Sequence, residues 1–321
     1  MLNDPVLVND WHAVATVRDL ENKNPLAVRL LGEDVVVWRL HGEIHAWQDL
    51  CIHRGTKLSM GKLQQDCLVC PYHGWQYDKR GQCVLFPAHP EQTPPPKARV
   101  TTYLVKEKYG LIWVSLGDPQ HDIPAFPEWE DASYRKIPAG PYNFNAAAPR
   151  AIENFLDVAH FPFVHSGTLG DPKYPEIAEY EAIITDDGVV SEEIRVWQPD
   201  PDGTGQGAEV TYTYRVLRPL TAYFIKTKGA SFAAYYVVSP IDELKSRAWI
   251  LMAMDYGFEQ STESLVAFQD GITGEDIPIV ESQRPELLPL DLQEELHLRS
   301  DRMAIAYRKW LRQLGVTVGT A

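Results

Sequence analysis

Short apolar–polar alternations, broken every few positions by glycine or a charged turn, fill the first third of the chain and predict strands. Val35 to Arg39 and Ile44 to Gln48 flank His41-Gly42-Glu43, a hairpin signal. Leu68 to Tyr77 and Gln82 to Phe86 flank Asp78-Lys79-Arg80-Gly81 in the same way. Tyr103 to Lys106 and Gly110 to Leu116 make a third pair around Glu107-Lys108-Tyr109. Hairpins at this spacing describe a small antiparallel β domain. Pro94-Pro95-Pro96 bends the chain before the third hairpin, and Gly117-Asp118-Pro119 with Ile123-Pro124-Ala125-Phe126-Pro127 punctuates its end. Two domains are therefore expected, residues 1–118 and residues 119–321.

Beyond the boundary the pattern changes. Residues 150–161 and 261–283 carry helical periodicity, and residues 180–255 read as strands. Val210, Thr211, Tyr212, Thr213, Tyr214 and Val216 form one β-branched and aromatic run, and Phe232, Tyr235, Tyr236, Val237 and Val238 mark another. Near the C-terminus, Met303, Tyr307, Trp310, Leu311 and Leu314 share one helical face, with Ser300 or Asp301 as cap and Gly315 as stop. The class is α+β.

Composition removes some alternatives. With 321 residues and 45% apolar content, the chain can bury a core without disulfides. A formal net charge of −14 argues against nucleic acid or an anionic membrane as partner. No stretch approaches a membrane span, and Met1-Leu2-Asn3-Asp4-Pro5 shows no signal-peptide pattern, so a cytoplasmic location is expected. Four cysteines in such a compartment are metal ligands or free thiols before they are disulfides.

Two constellations carry chemistry. Cys51-Ile52-His53 and Cys70-Pro71-Tyr72-His73 each offer one thiolate and one imidazole. A Rieske centre binds one iron by two Cys and the other by two His, so each loop supplies one ligand to each iron. Gly55 and Gly74 let the backbone approach, and Pro71 helps fix the second loop. A structural zinc site uses the same residue types, but zinc fingers usually present a Cys pair and then a His pair. Cys67 and Cys83 are expected as spare thiols, and His41, His45 and His89 as turn, surface or structural residues. The second constellation runs from Asn154 through Asp157 and His160 to His165. The three-residue spacing puts Asn154, Asp157 and His160 on one helix face, and Pro162 then kinks or ends the helix so that His165 swings back toward His160. Two imidazoles and one carboxylate make the facial triad of non-haem ferrous sites. Glu275, Asp276 and Glu281 are the candidates for the carboxylate. Gly203-Thr204-Gly205-Gln206-Gly207 lacks the dinucleotide-binding spacing, and reducing equivalents are expected from a separate protein.

These motifs resemble the Rieske oxygenase α-subunit family over nearly the whole chain. The resemblance selects Asp276 as third iron ligand, through Glu275-Asp276-x₄-Glu281-x-Gln283. It implies a Rieske [2Fe–2S] domain on Cys51, His53, Cys70 and His73, followed by a helix-grip (START-like) domain with mononuclear Fe(II) on His160, His165 and Asp276. Asn154 would line the iron site. Thr56 and Tyr72 stand where cytochrome-bc-type Rieske proteins carry an extra disulfide, so that bridge is absent and a low potential is expected. The resemblance further implies a head-to-tail homotrimer, with electrons crossing from His73 of one subunit through Asp157 of the next to His160. A separate flavin/iron–sulfur reductase would supply NAD(P)H electrons, and O₂ would be the co-substrate. The branch resembled holds vanillate and dicamba demethylases and phthalate dioxygenase. Wording around Phe161 to His165, Ile123 to Trp129 and Ser300 to Thr317 is similar to cyanobacterial saxitoxin-pathway hydroxylases. The expected activity is O₂-dependent hydroxylation or oxidative demethylation of a small organic molecule. A non-catalytic Rieske electron carrier and a zinc-stabilised binding module stand as alternatives.

Overall fold

The computed structural model describes residues 2–228 and 230–321. It divides into two compact units, Met1–Ile123 and Pro124–Ala321.

The first unit is built from ten strands among the described residues: β1 His12–Thr16, β2 Leu26–Leu30, β3 Glu33–Leu40, β4 Glu43–Gln48, β5 Lys62–Gln64, β6 Cys67–Val69, β7 Gln76–Tyr77, β8 Cys83–Leu85, β9 Thr102–Lys108 and β10 Leu111–Ser115. Six form one sheet in the order β1-β10-β9-β4-β3-β2, and β5 to β8 form a second in sequence order. All pairings are antiparallel. Tight turns set this meander. His41-Gly42 and Tyr109-Gly110 both take positive φ at two successive residues (49° and 86°, 57° and 74°), the geometry whose twist matches flanking strands. Glycine accepts that conformation without strain. The run from Leu68 to Tyr77, expected as one strand, is split into β6 and β7. The intervening Cys70–Trp75 loop folds on itself, because Gly74 N donates to Cys70 O (3.1 Å) and Cys70 N to Trp75 O (2.9 Å).

The second unit, among its described residues, holds an eight-stranded antiparallel sheet: β11 Arg135–Phe144, β12 Ala182–Thr185, β13 Gly188–Ser191, β14 Ile194–Gln198, β15 Ala208–Arg218, β16 Thr221–Lys228, β17 Ala230–Pro240 and β18 Ser246–Met254. Along β15 the buried positions are Val210, Tyr212, Tyr214 and Val216, alternating with more exposed residues as a half-buried strand requires. The Ala148–Leu156 helix packs against β16 and β17, and the long Thr262–Ser282 helix packs against β11, which is the helix-grip arrangement.

Two local expectations need correction. Asn154, Asp157 and His160 do not ride one helix face. The helix ends at Leu156, and Asp157 is extended (φ −93°, ψ 129°). Its carboxylate accepts from Ala159 N (2.8 Å), and this local turn competes with continued helix. Pro162 therefore ends nothing. It sits in the first turn of a new short helix, Phe161–Val164, where a missing N–H costs no hydrogen bond. Near the C-terminus the helix is Arg302–Leu314 with Gly315 left-handed at its end. Asp301 stands at the cap position without capping, because its carboxylate accepts from Leu298 N and Ser300 Oγ instead. Leu314 is partly exposed, while Met303, Tyr307, Trp310 and Leu311 are buried.

A buried ion network ties this last helix to the short helix that leads into the second constellation. Arg308 Nε and Nη2 donate to the two Glu153 oxygens (2.6 and 2.7 Å), and Arg308 and Arg150 both reach Glu295 (2.5 and 2.8 Å). Arg308 and Arg150 are each 2% exposed. Arg308→Ala is expected to destabilise the protein by about 3–5 kcal/mol, since the glutamates lose their buried counter-charge; urea unfolding followed by circular dichroism measures it. Burial alone would raise the Glu295 carboxyl, but hydrogen bonds from Arg150 and Arg308 outweigh it and hold it below its ordinary 4.5. Its contribution is thus complete above pH 4.5 and lost as pH falls through and below that value. The acid limb of stability should flatten in the Glu295→Gln chain.

Candidate metal centres

The first centre is made by twin loops. Gly55 N donates to Cys51 O (2.8 Å) and Cys51 N to Thr56 O (2.8 Å), the same pattern as in the Cys70–Trp75 loop. Gly55 and Gly74 take φ of 72° and 71°, so each loop closes through a left-handed residue. Buried Asp49 braces the first loop by accepting from Ser59 N (2.7 Å) and Ser59 Oγ (2.6 Å). The two thiols are buried, Cys51 at 2% and Cys70 at 1% exposure, whereas His53 is half-buried and His73 exposed. Thiols inward and imidazoles outward is the division that one Cys₂ iron and one His₂ iron need. The His53 ring stacks on Trp75 (4.3 Å, 8°) and lies 4.5 Å from the His73 ring. Among the described residues His53 Nδ1 is buried without a hydrogen-bond partner. Burial, together with the neighbouring Cys51 thiol, pushes the Cys70 thiol up. An orphaned imidazole nitrogen beside two crowded thiols fits a cationic cluster at this spot. Tyr77 Oη lies 3.1 Å from Cys51 Sγ, placing a hydrogen-bond donor on one candidate ligand.

All four cysteines are free. Cys67 lies in β6 and Cys83 in β8, and burial pushes Cys83 up to about 11, so neither is an activated thiol. His41 pairs with Asp66 in an exposed turn, His45 packs on Trp38, and His89 is exposed near Glu91.

The second centre lies at the break between the two short helices. His160 comes from the turn after Asp157, and His165 caps the Phe161–Val164 helix. Asp276 comes from the long helix, more than a hundred residues on. His160 Nε2 and His165 Nε2 are 3.2 Å apart, and Asp276 Oδ1 lies 3.5 and 3.1 Å from them. The outer nitrogens are both taken: His160 Nδ1 meets Asp157 Oδ2 (3.1 Å), and His165 Nδ1 meets Glu275 Oε2 (2.7 Å). With the Nδ1 protons donated outward, both Nε2 lone pairs and a carboxylate oxygen converge on one point. Three such donors on one point could hold a cation, and two nitrogens with one oxygen suit ferrous iron. Asn154 Nδ2 reaches Asp276 Oδ1 at 3.4 Å, at the edge of hydrogen-bonding distance. Burial would lower the His165 imidazole, but its bonds to Asp276 and Glu275 prevail and raise it.

The three carboxylates weighed in sequence thus separate. Asp276 faces the two imidazoles and Glu275 orients one of them. Glu281 accepts from Asn145 N and Nδ2 (2.7 and 3.1 Å) instead. The orienting contact of Glu275 is one that the sequence did not reveal. A cavity of about 410 Å³ opens beside the triad, walled by Phe155, Tyr212, Tyr214, Phe224, Tyr236 and Met252 among others. That volume suits a drug-sized ligand.

Two outcomes follow. Glu275→Ala should weaken iron retention at the second centre about 10- to 100-fold, read by chelator competition, while acid-labile sulfide stays unchanged. Tyr77→Phe should lower the reduction potential of the cluster by some tens of millivolts, since about 1.4 kcal/mol corresponds to about 59 mV for one electron; spectroelectrochemistry reads it.

Comparison with known proteins agrees with this geometry. Residues 10–104 match the Rieske [2Fe-2S] domain, and residues 144–317 match the vanillate O-demethylase oxygenase C-terminal domain. The chain is 37% identical to methylxanthine N1-demethylase NdmA of Pseudomonas putida, over 95% of its own length and 88% of that protein. The structure of Pseudomonas putida CBB5 NdmA with caffeine superposes with a TM-score of 0.85 at 34% identity, covering 96% of this chain and 90% of that one. A 114-residue stretch, 35% of this chain, is 42% identical to 19% of oxidoreductase NdmD of the same species. The cofactors are accordingly a Rieske cluster and a mononuclear iron, with O₂ as co-substrate and electrons from NAD(P)H through a reductase. The chain belongs to the Rieske non-haem iron oxygenases, as an α-subunit with a vanillate demethylase-type catalytic domain.

Proposed function

We propose that this oxygenase removes a methyl group from nitrogen on a planar heterocycle. The observation that carries this is the aromatic-walled cavity opening onto His160, His165 and Asp276, in a chain 37% identical to a methylxanthine demethylase. The balance is R₂N–CH₃ + O₂ + 2e⁻ + 2H⁺ → R₂N–CH₂OH + H₂O, after which the hydroxymethyl group leaves as formaldehyde and R₂NH remains. The first half is a monohydroxylation, so the hydroxylase and demethylase expectations share one step.

Cys51, His53, Cys70 and His73 would hold the cluster, and His160, His165 and Asp276 the iron. The bound metals supply electron storage and O₂ activation. The chain's residues do the rest. Asp157 and Glu275 hold the two imidazoles by their Nδ1 atoms, so both Nε2 atoms stay aimed at one point. Asn154 restrains Asp276. Phe155 stacks on Tyr236 (4.7 Å, 18°) and Phe224 (5.3 Å, 27°), giving a dry wall for a flat substrate and excluding water from the reacting methyl.

The assembly we propose is a head-to-tail homotrimer in the cytoplasm, in which Asp157 accepts the electron route from His73 of a neighbouring subunit. Among the described residues no helix is long and apolar enough to cross a membrane. A separate reductase delivers the electrons.

The test is turnover of caffeine and theobromine by the reconstituted protein with a reductase and NADH. Formaldehyde should appear in step with O₂ consumed. A hydroxylated product that keeps every methyl group would replace demethylation with ring hydroxylation. Asp276→Ala should keep about two irons and two sulfides per chain, lose the third iron and lose all turnover.

A further inference from the structure

The three side chains that converge at the second centre stand on unequal frames. His165 stands on a tight one. Its carbonyl accepts from Thr168 Oγ1 (2.8 Å), Leu169 N (3.0 Å), Thr168 N (3.1 Å) and Gly170 N (3.3 Å). Gly170 lies so close to the Phe161–Val164 helix that a Cβ there would meet Pro162 N at 2.5 Å and Phe161 C at 2.7 Å. A turn packed this closely leaves the two imidazoles little room to shift.

Asp276 stands on the opposite kind of frame. Gly271 and Gly274 lie inside the Thr262–Ser282 helix, where glycine is the weakest helix former after proline. Neither takes a positive φ, and a Cβ at either would meet nothing within 4 Å. Among the described residues, neither packing nor backbone geometry calls for glycine at these positions. Pro278 lies in the same helix and has no N–H for the Gly274 carbonyl four residues back. Residues 271, 274 and 278 recur at helical spacing on the exposed side. Gln269, Ile272, Thr273 and Asp276 take the other side and line the cavity. The helix is pinned just outside this stretch, to β11 and its exit. Tyr142 Oη donates to Asp270 Oδ1 (2.7 Å) before it, and Glu281 Oε1 accepts from Asn145 N (2.7 Å) beyond it.

A helix fastened on both sides of a glycine- and proline-weakened stretch bends most easily within that stretch. We propose that Gly271, Gly274 and Pro278 are positioning residues that let the 271–278 stretch yield, so that an occupant pressing on Ile272 and Thr273 shifts the Asp276 carboxylate while His160 and His165 stay fixed. This rests on the reading of Asp276 as an iron ligand in a demethylase, and adds how the cavity reaches that ligand. The stretch gives up helix stability for compliance, a trade found where activity needs movement.

The experiment stiffens the stretch in two ways in the holoprotein. Gly271→Ala/Gly274→Ala adds helix propensity, and Pro278→Ala restores a donor for Gly274 O without adding bulk. Hydrogen exchange of amides 271–277, read by mass spectrometry without ligand, should slow about threefold to tenfold in both variants. The glycine variant should melt about 2–6 °C higher. Neither variant should lose its mononuclear iron to a chelator faster than wild type, yet kcat for caffeine should fall about tenfold in both. Caffeine should slow exchange of the same amides in wild type and change it little in the variants. Equal ligand-free exchange in all three chains overturns the proposal, and so does full kcat in a stiffened chain. A glycine variant that dissociates into lighter species in sedimentation velocity, with Pro278→Ala behaving as wild type, also overturns it, because that marks room kept for a neighbouring copy. No turnover of caffeine by wild type removes the demethylase reading alone, and the ligand-free exchange and iron-loss rates still decide the hinge.

Discussion

Two imidazole nitrogens 3.2 Å apart, with a carboxylate oxygen 3.1 and 3.5 Å from them, repel one another unless a cation or a proton stands between. That constraint organises the catalytic unit. Neither histidine could hold its tautomer alone. Asp157 and Glu275 each take an Nδ1 proton, and each comes from a different element. The broken helix near Asp157 supplies one and the long helix supplies the other. The site therefore exists only where these elements meet, and the sheet beneath them is what fixes that meeting. Elsewhere the chain invests charge to keep the junction in place. Arg150, Glu153, Arg308 and Glu295 lock the Ala148–Leu156 helix, which carries Asn154, to the C-terminal helix, so a segment far from the chemistry governs its geometry.

The small β unit solves a similar problem with backbone alone. Twin loops with matching hydrogen bonds present one thiol and one ring each, and a tyrosine and a buried aspartate brace them. Because ring and thiol leave each loop in opposite directions, the inner positions are dry and the outer ones reach solvent. An outer imidazole at the surface is suited to passing electrons onward, whereas the thiols are shielded from solvent.

Much of this was legible in the sequence where spacing alone decides. The hairpins declared themselves through alternation and X-Gly turns, and Cys-x-His with Cys-x-x-His marked the twin loops. Long-range and competitive effects were not legible. Asp276 needed a family resemblance, because nothing local ties it to His160. Its neighbour Glu275 differs from it only by which way a helix turns, and the sequence does not show that angle. The Asn154–Asp157–His160 spacing imitated a continuous helix. The Asp157 carboxylate overrode it by capturing Ala159 N, a local hydrogen bond that propensity does not weigh. Tyr212 and Tyr214 were readable as strand residues, but not as a cavity wall, since which face of β15 looks inward depends on the helices packed over it.

The division of labour around the cavity has an evolutionary consequence. Every side chain of the His160, His165 and Asp276 triad comes from a helix or a turn, whereas β15 and β16 contribute wall and no ligand. Mutations along those strands change what the protein accepts without disturbing how it holds metal. A lineage built this way can drift from one small molecule to another in single steps, with its inorganic machinery inherited intact.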